Sequence, residues 1–382
     1  MKKRVCVLFL ALALLLGGLP RARAVELDIP APSAILMDAA TGQILYEKNA
    51  HERLRPASVT KVMTLLLVME ALERGQLSWD APVTASAAAA GKGGSQVYLE
   101  EGEQMSMDEM LKAVVVSSAN DCATALAEAV AGSEAVFAAQ MNERAAALGL
   151  QDTHFVNCTG LDDEPEAEEH LTSAHDIAVM SRELLKHDEI RRYTTIWMDT
   201  VRGGKFGLSN TNKLVRFYDG TTGLKTGFTQ AAGHCLSASA SRDGMELIAV
   251  VLHCNSSSDR FESAKALLDY GFAAYALVTP AVPEELGSVE VRLGRETEIT
   301  PVLERPEPVL MEKSRKNDVA AEVELEPFVT APVEKGQRLG TLTVRAGGEA
   351  VATIPIVAPE RVERLTWAQV TGRILRGICL GG

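Results

Sequence analysis

The distribution of apolar and polar residues divides the chain into segments of different texture. Residues 5–16 are apolar behind Met1-Lys-Lys-Arg4 and lead through Pro20 to Ala22-Arg23-Ala24. A basic start, a short apolar centre and a small-residue ending predict a secretory signal over 1–24, cleaved after Ala24. The run is shorter than the roughly 20 apolar residues that cross a bilayer. Ser33–Asp38 and Gln43–Tyr46 are strand-like around Ala39-Ala-Thr-Gly42, which predicts a hairpin. Pro56-Ala-Ser58 then opens the glycine-free apolar run 62–69, read as a buried helix starting at Ser58.

Ser106-Met-Asp-Glu109 is a capping box that starts a helix through Val116. That helix runs out at Ser117-Ser118-Ala119-Asn120, which predicts a loop there. Alanine-rich stretches 122–131 and 134–148 predict two further helices, with Gly149 as a stop. The region from about 80 to 190 therefore reads as a mainly helical insertion. After Gly220 three strands follow, 223–229, 233–240 and 245–252, the last two joined at Asp243-Gly244. A helix over 259–272 returns to the sheet. Residues 25–278 thus describe an α/β (α+β) domain, an antiparallel sheet flanked by helices.

Residues 279–358 are short, strand-like and turn-rich, which predicts a small all-β domain. Residues 359–382 switch back to helix. Trp367, Val370, Ile374 and Ile378 share one face, and Gln369, Arg373 and Arg376 the other. Such a helix suits a membrane interface, with packing on the β domain or on another chain as the alternative.

Composition narrows the function. The 382 residues carry a formal charge of −13, and the first 24 hold five basic residues and no acidic one, so the remainder carries −18. An acidic chain has no electrostatic reason to bind nucleic acid. Of six cysteines, Cys6 lies in the leader and Cys379 in the tail. Cys122, Cys158, Cys235 and Cys254 show no C-x-x-C pair and read as small buried apolar residues. Cys235 and Cys254 fall on consecutive strands, which leaves a disulfide open. His170 and His175 do not form H-E-x-x-H, so no metal and no other cofactor is expected.

Three strings carry the chemistry: Ser58-Val-Thr-Lys61, Ser118-Ala-Asn120 and Lys225-Thr226-Gly227. Singly, Ser58 reads as a helix cap, Asn120 as a turn residue and Lys225-Thr-Gly as an edge strand kept soluble by lysine. Together they supply a hydroxyl, a lysine one helical turn away and a cationic strand. A serine hydroxyl needs a base to become a nucleophile, and Lys61 can serve only if neutral. Burial beside another cation, with Lys225 as the candidate, would achieve that. Backbone N–H groups of Ser58 and Phe228 could form an oxyanion hole. No G-x-S-x-G elbow nominates a histidine-activated serine.

With these strings and their surroundings the chain resembles the serine-type D-alanyl-D-alanine carboxypeptidases, the low-molecular-mass penicillin-binding proteins. The resemblance covers about residues 30–275 and extends to the tail. It includes Pro56-Ala-Ser-Val-Thr-Lys61, His154-Phe-Val-Asn-Cys-Thr-Gly-Leu161, His170-Leu-Thr-Ser-Ala-His-Asp176 and Gly223-Leu-Lys-Thr-Gly-Phe-Thr229. It implies a penicillin-binding-protein/β-lactamase-like fold, a β-rich second domain and a membrane-anchoring tail on the extracytoplasmic side. It further implies that peptidoglycan stem peptides ending in D-Ala-D-Ala acylate Ser58, with Lys61 as base and Ser118, Asn120 and Lys225 completing the site. Thr226 and Arg260 would hold the terminal carboxylate, and β-lactam antibiotics would acylate the same serine. Phe228 departs from the histidine of some members, although only its backbone N–H is required. A DD-endopeptidase, a class A-like β-lactamase using an acid of 162–169, and a non-catalytic wall-binding protein are the competing readings.

Overall fold

A computed structural model describes residues 27–163, 165–279, 285–303 and 308–372. The expected signal segment, Cys6 and Cys379 lie outside them. Five antiparallel strands form the central sheet: β1 (Ser33–Asp38), β2 (Ile44–Lys48), β3 (Thr221–Thr229), β4 (Gly233–Arg242) and β5 (Met245–Cys254). Their spatial order is β2-β1-β5-β4-β3, so the N-terminal hairpin docks on the last of the three later strands. The apolar runs are unbroken because both faces are covered. Ile35, Met37, Ile248 and Val250 pack with helices α1 (Lys61–Glu73) and α5 (Ala174–Leu185). Ala34, Leu36, Leu247 and Ala249 pack with Ala264, Leu267 and Leu268 of α6 (Ser257–Ala274). Alternation along a strand delivers successive side chains to opposite layers. At Gly271 a Cβ would lie 2.4 Å from Leu247 and 2.9 Å from Leu36, so its absence lets α6 sit close on the sheet.

The expected helix from Ser58 is divided. Ala57–Thr60 forms a 3₁₀ turn bearing Ser58, and the regular helix α1 starts at Lys61. Local preference gives way to packing here. The turn presses on β3, where a Cβ on Gly227 would lie 2.6 Å from the Pro56 carbonyl oxygen and 3.0 Å from the Ser58 nitrogen. Helix α1 is buried from Lys61 to Leu72 except at Glu70, which explains its nearly uniform hydrophobicity.

The insertion contains α2 (Met107–Ser117), α3 (Asn120–Ala131) and α4 (Glu134–Ala147). Ser106 caps α2 by accepting the Glu109 N–H at 3.2 Å, as its sequence predicts. The expected loop after α2 is shorter than the pattern suggests. Ser118 turns in the left-handed region (φ 63°) and Asn120 already begins α3. Two small two-stranded sheets escaped the pattern, Pro82–Thr84 with Gln104–Ser106 and Met198–Val201 with Phe206–Ser209.

The C-terminal region is all-β. Val319–Leu325, Arg338–Ala346 and Glu349–Val357 form an antiparallel meander, with Val302–Leu303 at its edge. A second sheet joins Val289–Arg292 to Glu298–Ile299 and Phe328–Thr330. Tyr275–Val278, directly after α6, pairs with Val309–Glu312 and ties the two regions together. The tail is helical over 367–372, with Trp367 88% exposed. Residues 359–366, expected to be helical, are instead irregular and bridge to the β region through Val362 with Val333 and Arg364 with Gly294. Residues 373–382 lie outside the described residues. Cys122, Cys158, Cys235 and Cys254 are all free, so the disulfide left open for Cys235 and Cys254 is not formed. Each is buried, the ordinary fate of an unpaired cysteine.

Candidate active site

Three elements converge on Ser58. The 3₁₀ turn presents its half-buried hydroxyl, and Lys61 follows one turn later, wholly buried. The Lys61 Nζ lies 2.9 Å from Ser58 Oγ, 2.6 Å from Asn120 Oδ1 and 2.8 Å from the Thr159 carbonyl oxygen. An ammonium has three protons, and three acceptors meet them. Burial lowers Lys61 to about 7, against the opposing pull of Cys158, Asp121 and Glu134. Desolvation is thus the chief cause of the shift, and Lys225, which the sequence suggested, is not among its causes. Lys225 is itself wholly buried and held well below its ordinary value, first by burial and then by Lys61 and Arg260.

Asn120 is fixed from both sides. Its Nδ2 donates to the Gly93 carbonyl at 2.8 Å, and its backbone N–H to the Ser95 carbonyl at 2.7 Å. Gly94 (φ 72°) passes so close that a Cβ there would lie 2.7 Å from Asn120 Nδ2. Asp121, fully buried, accepts the N–H groups of Val97, Leu99 and Cys122 and holds this loop in place. Ser118 is 4% exposed at the end of α2, two residues before Asn120.

The segment carrying Thr159 is shaped by Asn157, whose Oδ1 accepts the N–H groups of Thr159 (3.1 Å) and Gly160 (2.7 Å). At Gly160 (φ 79°) a Cβ would fall 1.8 Å from the Ala57 carbonyl oxygen, so no other residue fits against the nucleophile turn. His170 braces the same turn. Its Nδ1 accepts the Val156 N–H at 3.1 Å, so Nε2 donates to Thr60 Oγ1 at 2.8 Å. Burial lowers His170 to about 4, keeping it neutral. Sequence reasoning missed Asn157 and Thr159 as supports and read His170 as structural without saying what it braces. The only signal was their place in strings that carry the family resemblance.

On β3, Lys225 donates to the Thr226 carbonyl at 2.9 Å, and Thr226 Oγ1 donates to Thr211 Oγ1 at 2.6 Å. Thr211 in turn donates its N–H to the Val116 carbonyl of α2, so the strand is tied to the element that ends at Ser118. Arg260 of α6 is 8% exposed and donates to the Gly227 carbonyl at 3.0 Å, with its Nε left without a protein partner. Phe228 is 51% exposed and stacks on His234 at 4.3 Å. All nine residues singled out from the sequence therefore lie on these three converging elements or, for Arg260, directly behind the strand. No cluster of three or more His, Cys, Asp or Glu side chains suited to a metal occurs among the described residues.

A serine hydroxyl, a buried lysine and a lysine-bearing strand in this arrangement suit acyl transfer through the serine. Comparison with known proteins agrees. The D-alanyl-D-alanine carboxypeptidase family matches residues 21–256, and the C-terminal domain of penicillin-binding protein 5 matches residues 281–364. The D-alanyl-D-alanine carboxypeptidase DacF of Bacillus subtilis is 41% identical over 348 residues, spanning 90% of this chain and 88% of that protein. The crystal structure of penicillin-binding protein 5 from Haemophilus influenzae superposes with a TM-score of 0.78 at 29% identity, covering 89% of this chain and all of that one. Ampicillin-bound penicillin-binding protein D2 from Listeria monocytogenes superposes with a TM-score of 0.59 at 32% identity, covering 65% of this chain and 99% of that one. The chain belongs to the D-alanyl-D-alanine carboxypeptidase family and is a serine peptidase of the penicillin-binding-protein class.

Proposed function

We propose that Ser58 is the residue acylated by peptidoglycan stem peptides ending in D-Ala-D-Ala, and by β-lactams. The observation that carries this is the 2.9 Å contact between Ser58 Oγ and a buried Lys61 that titrates near 7. Neutral Lys61 takes the Ser58 proton as Oγ bonds to the penultimate carbonyl carbon. The N–H groups of Ser58 and Phe228 receive the oxyanion, a contribution of about 3 kcal/mol per donor in favourable cases. The C–N bond then breaks, and the departing D-Ala amine gains a proton passed from Lys61 through Ser118. Water hydrolyses the ester, with Lys61 again accepting a proton.

Lys225, Thr226 and Arg260 hold the terminal carboxylate. An arriving anion favours protonated Lys225, and two ammonium groups buried near each other cannot both persist, so the same event keeps Lys61 neutral. Asn120 orients both Lys61 and the substrate amide. Residues 25–278 form the peptidase domain and 279–358 the β domain. The segment 359–382 anchors the protein at the outer face of the cell membrane, supported by the exposed Trp367 on a helical start.

Release of D-alanine from diacetyl-Lys-D-Ala-D-Ala, with S58A alongside, tests the assignment. Release by the wild type alone is the expected result. Release by folded S58A would overturn the nucleophile.

A further inference from the structure

Residues 92–99 form a strap with no helix or strand, so side chains must meet its peptide groups. The Gly93 and Ser95 carbonyls receive Asn120, and Asp121 accepts the N–H groups of Val97 and Leu99. The Val97 and Tyr98 carbonyls go to Arg202, which neither the mechanism nor the family strings use. Its Nη1 donates to Val97 at 2.6 Å and its Nη2 to Tyr98 at 3.0 Å. Nε and Nη2 also reach the two carboxylate oxygens of Glu103, at 2.6 and 2.9 Å. A planar fork of this kind fixes direction as well as charge. Arg202 sits at φ 55°, and Gly203 (61°) and Gly204 (90°) follow. A glycine would take that backbone without strain, so the turn alone gives no reason for an arginine.

Arg202 opens the turn 202–205 between the paired strands Met198–Val201 and Phe206–Ser209. Its backbone N–H donates to Glu109 of α2 at 2.7 Å, which ties the turn to that helix. At the other end of the sheet, Asn210 donates its N–H to the Trp197 carbonyl, and the next residue, Thr211, accepts the Thr226 hydroxyl of β3. One short sheet thus touches both walls of the cleft: at its tip the strap that presents Asn120, at its base the strand that carries Thr226. We propose that this sheet is a brace between the two walls, and that Arg202 is the positioning residue through which it holds Asn120. The inference rests on the proposed role of Asn120. Without the guanidinium, the Val97 and Tyr98 carbonyls turn to water and the strap shifts, taking Gly93 and Ser95 with it. Asn120 Oδ1 then leaves the Lys61 Nζ, 2.6 Å away. An ammonium that loses an acceptor is less favoured, so Lys61 should titrate lower while the misdirected base reacts more slowly.

The test is acylation by a fluorescent penicillin between pH 5 and 9, in the wild type, R202M, E103Q, N120A and N120A/R202M. On its high-pH plateau R202M should react about tenfold more slowly, since a displacement of about 1 Å can cost as much as a hundredfold. The midpoint of its pH profile should lie below that of the wild type. E103Q, which leaves the Val97 and Tyr98 contacts in place, should move rate and midpoint the same way by less. In the N120A background R202M should change the rate by less than about twofold, because residues that act through one another are not additive. A merely structural arginine would move neither the midpoint nor that comparison. Equal losses from R202M in the two backgrounds, or an unshifted midpoint, would therefore overturn the positioning role and leave Ser58 untouched as nucleophile. If R202M does not fold, E103Q and N120A/E103Q decide by the same two comparisons. A flat profile in the wild type would overturn Lys61 as base, and the comparison in N120A then decides for Arg202. No labelling of the wild type at Ser58 would overturn the proposed function, and the positioning role with it.

Discussion

Under the proposed mechanism, the environment of the Lys61 side chain sets the reaction's pH range. A lysine in water is charged at neutral pH, and the buried site brings it to about 7. In the proposed mechanism only the neutral form takes the Ser58 proton. Acylation by a fluorescent penicillin should therefore rise about tenfold per pH unit below 7 and level off above it. A profile flat between pH 5 and 7 would remove Lys61 as the base. His170 gives the complementary prediction for stability. Its folded value of about 4 lies below the ordinary histidine value of 6.5, so the unfolded chain binds a proton that the folded one refuses. Stability should fall as pH drops from 6.5 towards 4, by on the order of 3 kcal/mol from this residue. Denaturant titrations of wild type and H170Q at pH 7 and 4.5 measure it. The variant should be less stable at pH 7, because Thr60 loses its donor, yet lose less on acidification.

At the scale of elements, the nucleophile turn is held by backbone approaches that only glycine allows. G160A would place a methyl 1.8 Å from the Ala57 carbonyl at a φ of 79°, so the loop bearing Thr159 must move. The expected outcome is a loss of more than about 2 kcal/mol in stability, and slower penicillin acylation because Lys61 loses an acceptor. Thermal unfolding and labelling rates on one preparation measure both. These approaches also explain what the sequence could reveal. The strands β3 to β5 and helix α2 were legible because period and punctuation are local properties, as the Ser106 cap and the Asp243-Gly244 turn show. The three catalytic strings were legible because the family resemblance identifies them. The division of the Ser58 helix was not, since it answers to contact with Gly227 more than 160 residues later. Thr159 acts through a carbonyl oxygen, a group every residue has, and composition therefore gives no sign of it. The strands Val309–Glu312 and Phe328–Thr330 are short and exist through pairing with distant partners, which no local pattern records.

The whole molecule joins a two-faced peptidase layer structure to a β region through a strand pair and through a cavity that Thr41 and Gln43 line with Val351, Thr353 and Pro355. Tyr275–Val278 leaves α6 and pairs with Val309–Glu312, while Lys313 Nζ donates to the Phe272 carbonyl at 2.7 Å. Every residue bonded to Lys61 is a chain neighbour of one packed with α1, whereas Leu277 and Leu310 of this junction pack with α6 on the opposite face of the sheet. The Listeria neighbour covers 65% of this chain with 99% of its own, so the peptidase part has a counterpart of about its own size. A chain ending at Val278 should therefore fold and label with penicillin at a rate within about threefold of the full protein. It should melt at a lower temperature, because a strand loses its partner and Phe272 its lysine contact; a few ladder bonds correspond to several degrees. If the shortened chain is folded but fails to label, the β region acts on the site, through the strand pair, the Lys313 contact or the cavity that Thr41 and Gln43 share with Val351 and Thr353.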